Sequence, residues 1–432
     1  MSNIYNFLRK VYQDLREETK INNLFVPIIL VLLTIPLNYA YNSVSVCVFS
    51  GITLLTFKKD KASLQKRLLP LMLLYVLMVI SITWSWDVDK SAASIVKELP
   101  LFAIPFCFFI YKPFTKAQVN KILRYYSFGM VCFAIFYLIR ATIRFITHHD
   151  YKFFFYHGLV TEDLNAIHVS IFMAMACFYF IDKKNKSIVE IAFIILLSAI
   201  IFMLASKNAM VIFLMLVFIY FFFYAKISNK IRYGSIIGIV TLLVSFSFVK
   251  QIRERFLVEI NTNITENTLA SGAVMNTSIR QAWTNESFTE NNFFPGAAFR
   301  VYQVRIFLEM IHEDSIFFTG YGLNASHIKI EEKARQYKIH PGYATYNFHN
   351  QYIQNFAELG IFGLLLLLIL LYLNTQKAFS TKNFVHIAFA ILMIMLFLTE
   401  SFLWRQRGVI YFAVLYCLFN ANGQIKANEK TI

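Results

Sequence analysis

Predominantly apolar stretches recur along this chain at a length that water-soluble folds rarely repeat. They fall near residues 24–41, 43–57, 68–86, 95–111, 126–146, 167–181, 187–205, 208–225, 233–249, 353–373, 384–400 and 408–420. A helix needs about 18–20 apolar residues to cross a bilayer, and several of these stretches reach that length. Lipid offers no hydrogen-bond partner to the backbone, so open sheet is excluded, and the stretches lack the alternation of barrel strands. Charged residues make up 15% of the chain, against about a quarter in ordinary soluble domains. A soluble fold of 432 residues could not cover its surface with so few. These features exclude a soluble globular enzyme, a disordered chain and a fibre. They predict an all-α polytopic membrane protein with about twelve transmembrane helices.

The loops orient it. With the N-terminus inside, the cytoplasmic loops 58–67, 112–124, 182–186, 226–232 and 375–383 hold 17 Lys and Arg, and the short outer loops hold 5. This is the positive-inside asymmetry, and it predicts that both termini are cytoplasmic. It also accounts for much of the net charge of +16, so no nucleic-acid partner is expected. Cys47, Cys107, Cys132, Cys177 and Cys417 all sit in apolar stretches without metal-ligand spacing. They read as packing residues, with no disulfide or zinc site. No cleavable signal peptide is evident. The first 23 residues read as a cytoplasmic or interfacial lead-in.

Residues 250–352 interrupt the pattern with a long polar insertion holding 10 basic and 10 acidic residues. The chain thus divides into an N-terminal bundle of about nine helices (1–249), an outward-facing domain (250–352), and about three C-terminal helices with a cytoplasmic tail (353–432). Within the insertion, Phe299, Tyr302, Ile306 and Met310 recur at helical spacing, and residues 328–338 form a second amphipathic pattern. Gly320-Tyr321-Gly322 between them signals a turn.

Chemistry concentrates where the insertion re-enters the membrane. Asn350, Gln354 and Glu358 lie at i, i+4 and i+8 and share one helical face. Glu358 falls roughly 13 Å below His349 at helical rise, an intramembrane carboxyl that is costly and often functional. The alternative for this polar face is an interhelical hydrogen-bond seam. Among outward cations, Lys207 stands in a very short turn against the charge asymmetry. Arg280, Arg300, Arg305, Arg405 and Arg407 lie on the same side. Arg305 sits about 140° around the helix from Arg300, where it can pair with Glu309. Arg405 and Arg407 can pair with Glu400 or face a shared pocket.

The run His349-Asn350 followed by Glu358-Leu359-Gly360 and Gly363 resembles the signature of the O-antigen ligase and polymerase superfamily, as does its place after a long outer loop. Arg300, opening an amphipathic helix that leads to Gly320-Tyr321-Gly322, is similar to a second family motif. Ser206-Lys207 resembles a third, with Lys in place of the usual Arg. The resemblance implies a GT-C-like fold with a large periplasmic helical insertion, in a bacterial inner membrane. It implies transfer of a glycan from undecaprenyl diphosphate to a hydroxyl acceptor at a periplasmic active site, inverting and without metal or other cofactor. His349 would be the catalytic base. Arg300, Arg280 and Lys207 would bind the diphosphate, with Asn350, Glu358, Arg305, Arg405 and Arg407 in support. The acceptor would be lipid A–core for a ligase, or the sugar end of a lipid-linked repeat for an O-antigen or exopolysaccharide polymerase. A lipid-glycan flippase or transporter is a further alternative. It is disfavoured by the absence of an internal repeat and by the long ordered insertion.

Overall fold

The computed structural model describes residues 2–58, 65–272 and 274–421. Part of the 58–67 loop and the C-terminal tail beyond residue 421 lie outside the described residues. About 76% of the structure is helical. In chain order the helices are α1 (Ser2–Ile21), α2 (Phe25–Thr34), α3 (Tyr39–Leu55), α4 (Leu69–Ile80), α5 (Val88–Glu98), α6 (Pro100–Ile110), α7 (Lys116–His148), α8 (Ala166–Asp182) and α9 (Ile188–Met203). There follow α10 (Lys207–Ile219), α11 (Asn229–Ser247), α12 (Lys250–Ile264), α13 (Ile279–Thr284), α14 (Gly296–Glu313), α15 (His327–Gln336), α16 (Gln351–Thr381), α17 (Phe384–Phe397) and α18 (Gln406–Asn420).

Each of the twelve apolar stretches contains a helix. Among the described residues, five helical segments are long and apolar enough to cross a membrane: Lys66–Trp84, Val88–Ile110, Lys116–His148, Lys207–Tyr224 and Gln351–Thr381. Phe25–Thr34, Tyr39–Leu55, Ala166–Asp182, Ile188–Met203 and Phe384–Phe397 are apolar but shorter. The apolar helices make the chain a multi-pass membrane protein, and five of the expected spans meet the full crossing length. Local chemistry fixes the ends. Thr115 with Gln118 and Ser187 with Glu190 form reciprocal capping boxes at the starts of α7 and α9. Pro100, at the first position of α6, separates it from α5.

The insertion is not purely helical. Beside α12–α15 it holds β1 (Leu269–Ser271), β2 (Val274–Asn276) and β3 (Asn292–Phe293), with β1–β2 antiparallel and β2–β3 parallel. It has its own apolar core, in which Tyr302, Ile306, Met310 and Ile330 are buried. Charge clamps α14 to α15. The Lys333 ammonium is fully buried and donates to Glu309 at 2.9 Å and to Glu313. Lys329 reaches Glu313 and Asp314 at 3.2 and 3.5 Å.

The insertion is tied to the bundle through a break in α16. Gly360 has φ 64° and ψ −162°, a non-helical conformation inside the helix that L residues rarely adopt. The carbonyls of Ala357 and Glu358 accept instead from the N–H groups of Tyr321 and Gly322, at 2.8 and 2.9 Å, and the Ile361 N–H donates to Phe317 O at 2.8 Å. The other side of the same loop is held by residues 81–91: Trp86 N–H donates to Tyr321 O and Trp84 Nε1 to Thr319 O, both at 2.9 Å. A Cβ on Gly360 would overlap the Phe318 carbonyl, and one on Gly320 (φ 65°) would overlap the Glu358 carbonyl.

Gly360→Ala or Gly320→Ala should therefore destabilise the protein by at least about 1–3 kcal/mol from backbone conformation alone. Gly51→Ala, at a helical glycine with open space where the Cβ would go, should be neutral or slightly stabilising. Thermal unfolding of the three variants in detergent measures this. Equal midpoints would show that the loop and the helix break are not coupled as described.

Candidate functional site

The start of α16 is held by a polar seam. Asn350 caps the helix, its side-chain oxygen accepting from Tyr352 and Ile353 N–H, while its amide donates to Leu398 O at 3.2 Å. Asn350 N–H donates to Ser401 Oγ, and Gln351 Oε1 accepts from Leu403 N–H at 2.7 Å. These bonds bring the 398–403 connection against the loop that carries His349. His349 itself has φ 47°, a left-handed conformation that costs a non-glycine residue energy and persists where its surroundings dictate it.

The outcome is a contact between two side chains 51 positions apart. His349 Nδ1 lies 3.4 Å from Glu400 Oε2. Phe299 and Tyr346 pack beside the imidazole with ring centroids at 5.8 and 5.7 Å. The Glu400 side chain is only 4% exposed. Burial alone would raise its pKa. The hydrogen bond and charge of His349, with the charges of His168 and Arg300, outweigh burial and hold the carboxyl below its ordinary value. A carboxylate on Nδ1 fixes the ring orientation and leaves Nε2 as the atom able to take a proton.

Arg300 lies in the second turn of α14. Its Nε donates to Thr399 O and its Nη1 to Gly296 O, both at 2.9 Å, and Nη2 stands 4.0 Å from Glu400 Oε2. Arg300 and His349 thus share one carboxylate oxygen. The start of α14 is fixed by Glu259, which accepts from Ala297 N–H at 3.3 Å and pairs with Lys207 at 2.5 Å. Lys207 also donates to Arg255 O at 3.0 Å. It follows Ala205, another left-handed residue with φ 47°.

These groups line one cavity of about 690 Å3, bounded by Lys207, Arg255, Arg300, His349, Glu400 and Arg405, with Tyr156, Tyr346 and Trp404 among its aromatic walls. Arg255 and Arg405 have no acidic partner within ion-pair distance among the described residues; Arg255 lies 3.7 Å over the Tyr156 ring. Of the remaining acids, Asp163 accepts from Asn38 Nδ2 at 3.0 Å, and Glu162 faces Arg140 electrostatically. Burial first, then the Arg255 charge, lowers the pKa of His157.

The residues expected from the sequence therefore separate. His349, Arg300, Lys207 and Arg405 come together. Arg280 does not: it is 81% exposed, outside the cavity lining, and nearest Glu266 at 3.9 Å. Arg305 is tied to Glu309, the Asn285 carbonyl and the Tyr337 hydroxyl within the insertion. Arg407 is buried, donates to the Asp163 and Leu37 carbonyls, and lies over the Tyr39 ring at 3.7 Å. Glu358 is buried and accepts from Gln354 at 2.5 Å, and Asn350 serves as a cap. These last four hold the architecture around the cavity without lining it. Arg255 and Glu259 were not singled out from sequence. Their i, i+4 spacing on a polar helix after the last apolar stretch of the N-terminal bundle was the available signal.

No curated protein matches the chain. Residues 192–368 match the model of a family described as O-antigen ligase. The matched stretch runs from α9 into α16 and supplies Lys207, Arg255, Glu259, Arg300 and His349, while Glu400 and Arg405 lie beyond it. This match supports placing the chain in the O-antigen ligase superfamily.

Proposed function

We propose that the protein is a membrane glycosyltransferase that moves a glycan from undecaprenyl diphosphate to a hydroxyl of lipid A–core, on the periplasmic side of a bacterial inner membrane. The observation that carries this reading is the single cavity in which a carboxylate-oriented histidine faces several guanidinium and ammonium groups. The acceptor hydroxyl oxygen attacks the anomeric carbon and gives its proton to His349 Nε2. The bond from that carbon to the diphosphate oxygen breaks, and undecaprenyl diphosphate leaves with the electron pair. Attack opposite the leaving group inverts the anomeric configuration. Arg255 and Arg405, lacking acidic partners, take the diphosphate. Planar guanidinium forks suit phosphate oxygens better than a point charge does. Arg300 is the third cation, and its approach to the diphosphate would loosen its hold on Glu400 and leave that carboxylate to His349. Lys207 acts through Glu259 by fixing the start of α14. The family match supports a ligase or polymerase-type enzyme alike, and ligase is the reading we propose. A deletion strain separates the two: a ligase loss removes all glycan-capped lipid A–core, and a polymerase loss leaves single repeats.

His349→Ala should fold normally while transfer falls by about 10²–10⁴-fold, the usual range for general-base catalysis. His349→Arg should not restore it. Glu400→Gln should lower transfer without abolishing donor binding. Because the Glu400 pKa is lowered, the stabilisation from its ionised form is complete above the ordinary carboxylate range and is lost only as pH falls through the depressed value. The dyad should therefore persist throughout the neutral range. Acid activation together with an active His349→Arg variant would replace the base assignment with a diphosphate-binding one.

Arg255→Gln and Arg405→Gln should each lower kcat/KM for the lipid-linked donor by about 10–100-fold, equivalent to a charged hydrogen bond of about 1.5–3 kcal/mol. Arg280→Ala should stay within about twofold, as for an exposed side chain. A large loss at Arg280 with wild-type behaviour at Arg255 would put the donor elsewhere.

The outward placement of the insertion is checked at exposed Glu286. Glu286→Cys in a cysteine-free background should react with a membrane-impermeant maleimide in intact spheroplasts. Reaction only after lysis would reverse the topology.

A further inference from the structure

A second cavity lies at the other end of the bundle. It occupies about 600 Å3 between the starts of α7 and α17 and the ends of α8, α16 and α18. The first cavity opens at the opposite ends of α8, α16, α17 and α18, so the two are separated by the length of these helices. On the proposed topology this second cavity is cytoplasmic.

Its cations are poorly matched by acids. Lys116 and Lys377 line the cavity, and Arg67 and Lys116 both act on Lys377 as like charges. None of the three has an ion pair within 4.0 Å among the described residues. Arg67 spends its guanidinium on the Leu373 carbonyl and Gln376 Oε1, both at 3.0 Å. Lys183, a third lysine of the lining, is instead paired with Glu190 at 2.5 Å, and nearby Lys121 with Asp14 and Glu18 at 2.6 Å. The one acid in the lining, Asp182, has Lys184 and Lys186 as its charged neighbours. Lys116 occupies the first position of α7, the positive end of the helix dipole, and neither α7 nor α17 has an acid in its first turn. The Asn383 side-chain oxygen caps α17 by accepting from His386 N–H, which leaves its amide N–H groups as donors in the lining.

Two lysines, two helix starts and an amide converge on a cavity of ligand size, and among the described residues no acid lies within 4.0 Å of either lysine. We infer that this cavity binds a phosphate-bearing anion through Lys116, Lys377 and Asn383. The source is an acidic phospholipid headgroup or a free phosphate. Basic pockets between helices on the cytoplasmic side are suited to such headgroups.

The full-length protein, delipidated in a neutral detergent, is titrated with phosphatidylglycerol, phosphatidylcholine and inorganic phosphate and followed by thermal unfolding and native mass spectrometry. The same titrations are run on Arg255→Gln/Arg405→Gln to silence the first cavity. Phosphatidylglycerol should bind and raise the unfolding midpoint in both backgrounds, with phosphatidylcholine ineffective and the effect weakening as salt rises. Lys116→Gln/Lys377→Gln should weaken this binding by about 10–30-fold, at roughly one interaction of membrane-surface strength per lysine. A response to phosphatidylglycerol alone assigns the lipid, and one to inorganic phosphate assigns the free anion. If the wild-type chain distinguishes none of the three, or if binding survives unchanged in the lysine variant, the inference is overturned and these lysines serve topology only. The wild-type titration decides even if the lysine variant fails to fold.

Discussion

The backbone pairing between the Phe317–Gly322 loop and the break in α16 is the constraint on which the rest of the structure hangs. A helix interrupted within a membrane protein exposes carbonyl and N–H groups that lipid cannot satisfy, at a cost of several kcal/mol each. Here the insertion supplies the partners: Tyr321 and Gly322 donate to Ala357 and Glu358, and Phe317 accepts from Ile361. The same loop is bound from behind by Trp84 and Trp86. The helix that bears Arg300 leads directly into this loop, and the helix that follows His349 contains the break. One backbone joint therefore relates two of the cavity walls, through main-chain hydrogen bonds.

Charge is distributed around the cavity with similar economy. Lys207 and Arg300 are engaged by Glu259 and Glu400, and each of those carboxylates also orders something else: Glu259 the start of α14, Glu400 the imidazole of His349. Removing a partner from such a pair leaves a poorly solvated charge behind, so these groups resist substitution for structural reasons. Arg255 and Arg405 are held differently, by an aromatic face and by a capping position before α18. Their charge is not cancelled by a neighbouring carboxylate. A polyanion entering the cavity therefore meets positive potential chiefly from these two.

Much of the helical content was legible, because apolar length and loop charge report directly on the solvent around each segment. The Phe299–Met310 periodicity marked α14, and the polar face of Asn350, Gln354 and Glu358 marked a buried seam. What local pattern could not convey was the partner of each charge. Glu400 was legible only as a neighbour of Arg405 and Arg407, and its partner His349 lies on another element. Arg280 was expected with Arg300 among the diphosphate cations, yet a short helix beside a small sheet turns it to solvent. For Arg255 the i, i+4 spacing with Glu259 marked a polar helix but not its place, which depends on α12 lying against Tyr156. That some apolar stretches fall short of crossing length was visible in the sequence, but hydropathy within a segment does not reveal how much of it other helices bury.

The motif from His349 to Gly363 thus combines two physical tasks in one stretch of chain. Its first part places an imidazole at the mouth of a helix beside a distant carboxylate, a matter of side-chain chemistry. Its second part, Glu358-Leu359-Gly360, lets the helix break and be paired by Gly320-Tyr321-Gly322, a matter of backbone shape in which a Cβ at Gly320 or Gly360 would collide with a carbonyl. Glycines in such a joint report how two elements meet and carry little information about what is bound. Under the proposed function, selection among substrates falls to groups outside the joint: the guanidiniums without acidic partners and the aromatic side chains of Tyr156, Tyr346 and Trp404 along the cavity wall. On the proposed function, a chain sharing the joint and the histidine but carrying different groups at those positions would keep the architecture and the proton acceptor while meeting a different glycan.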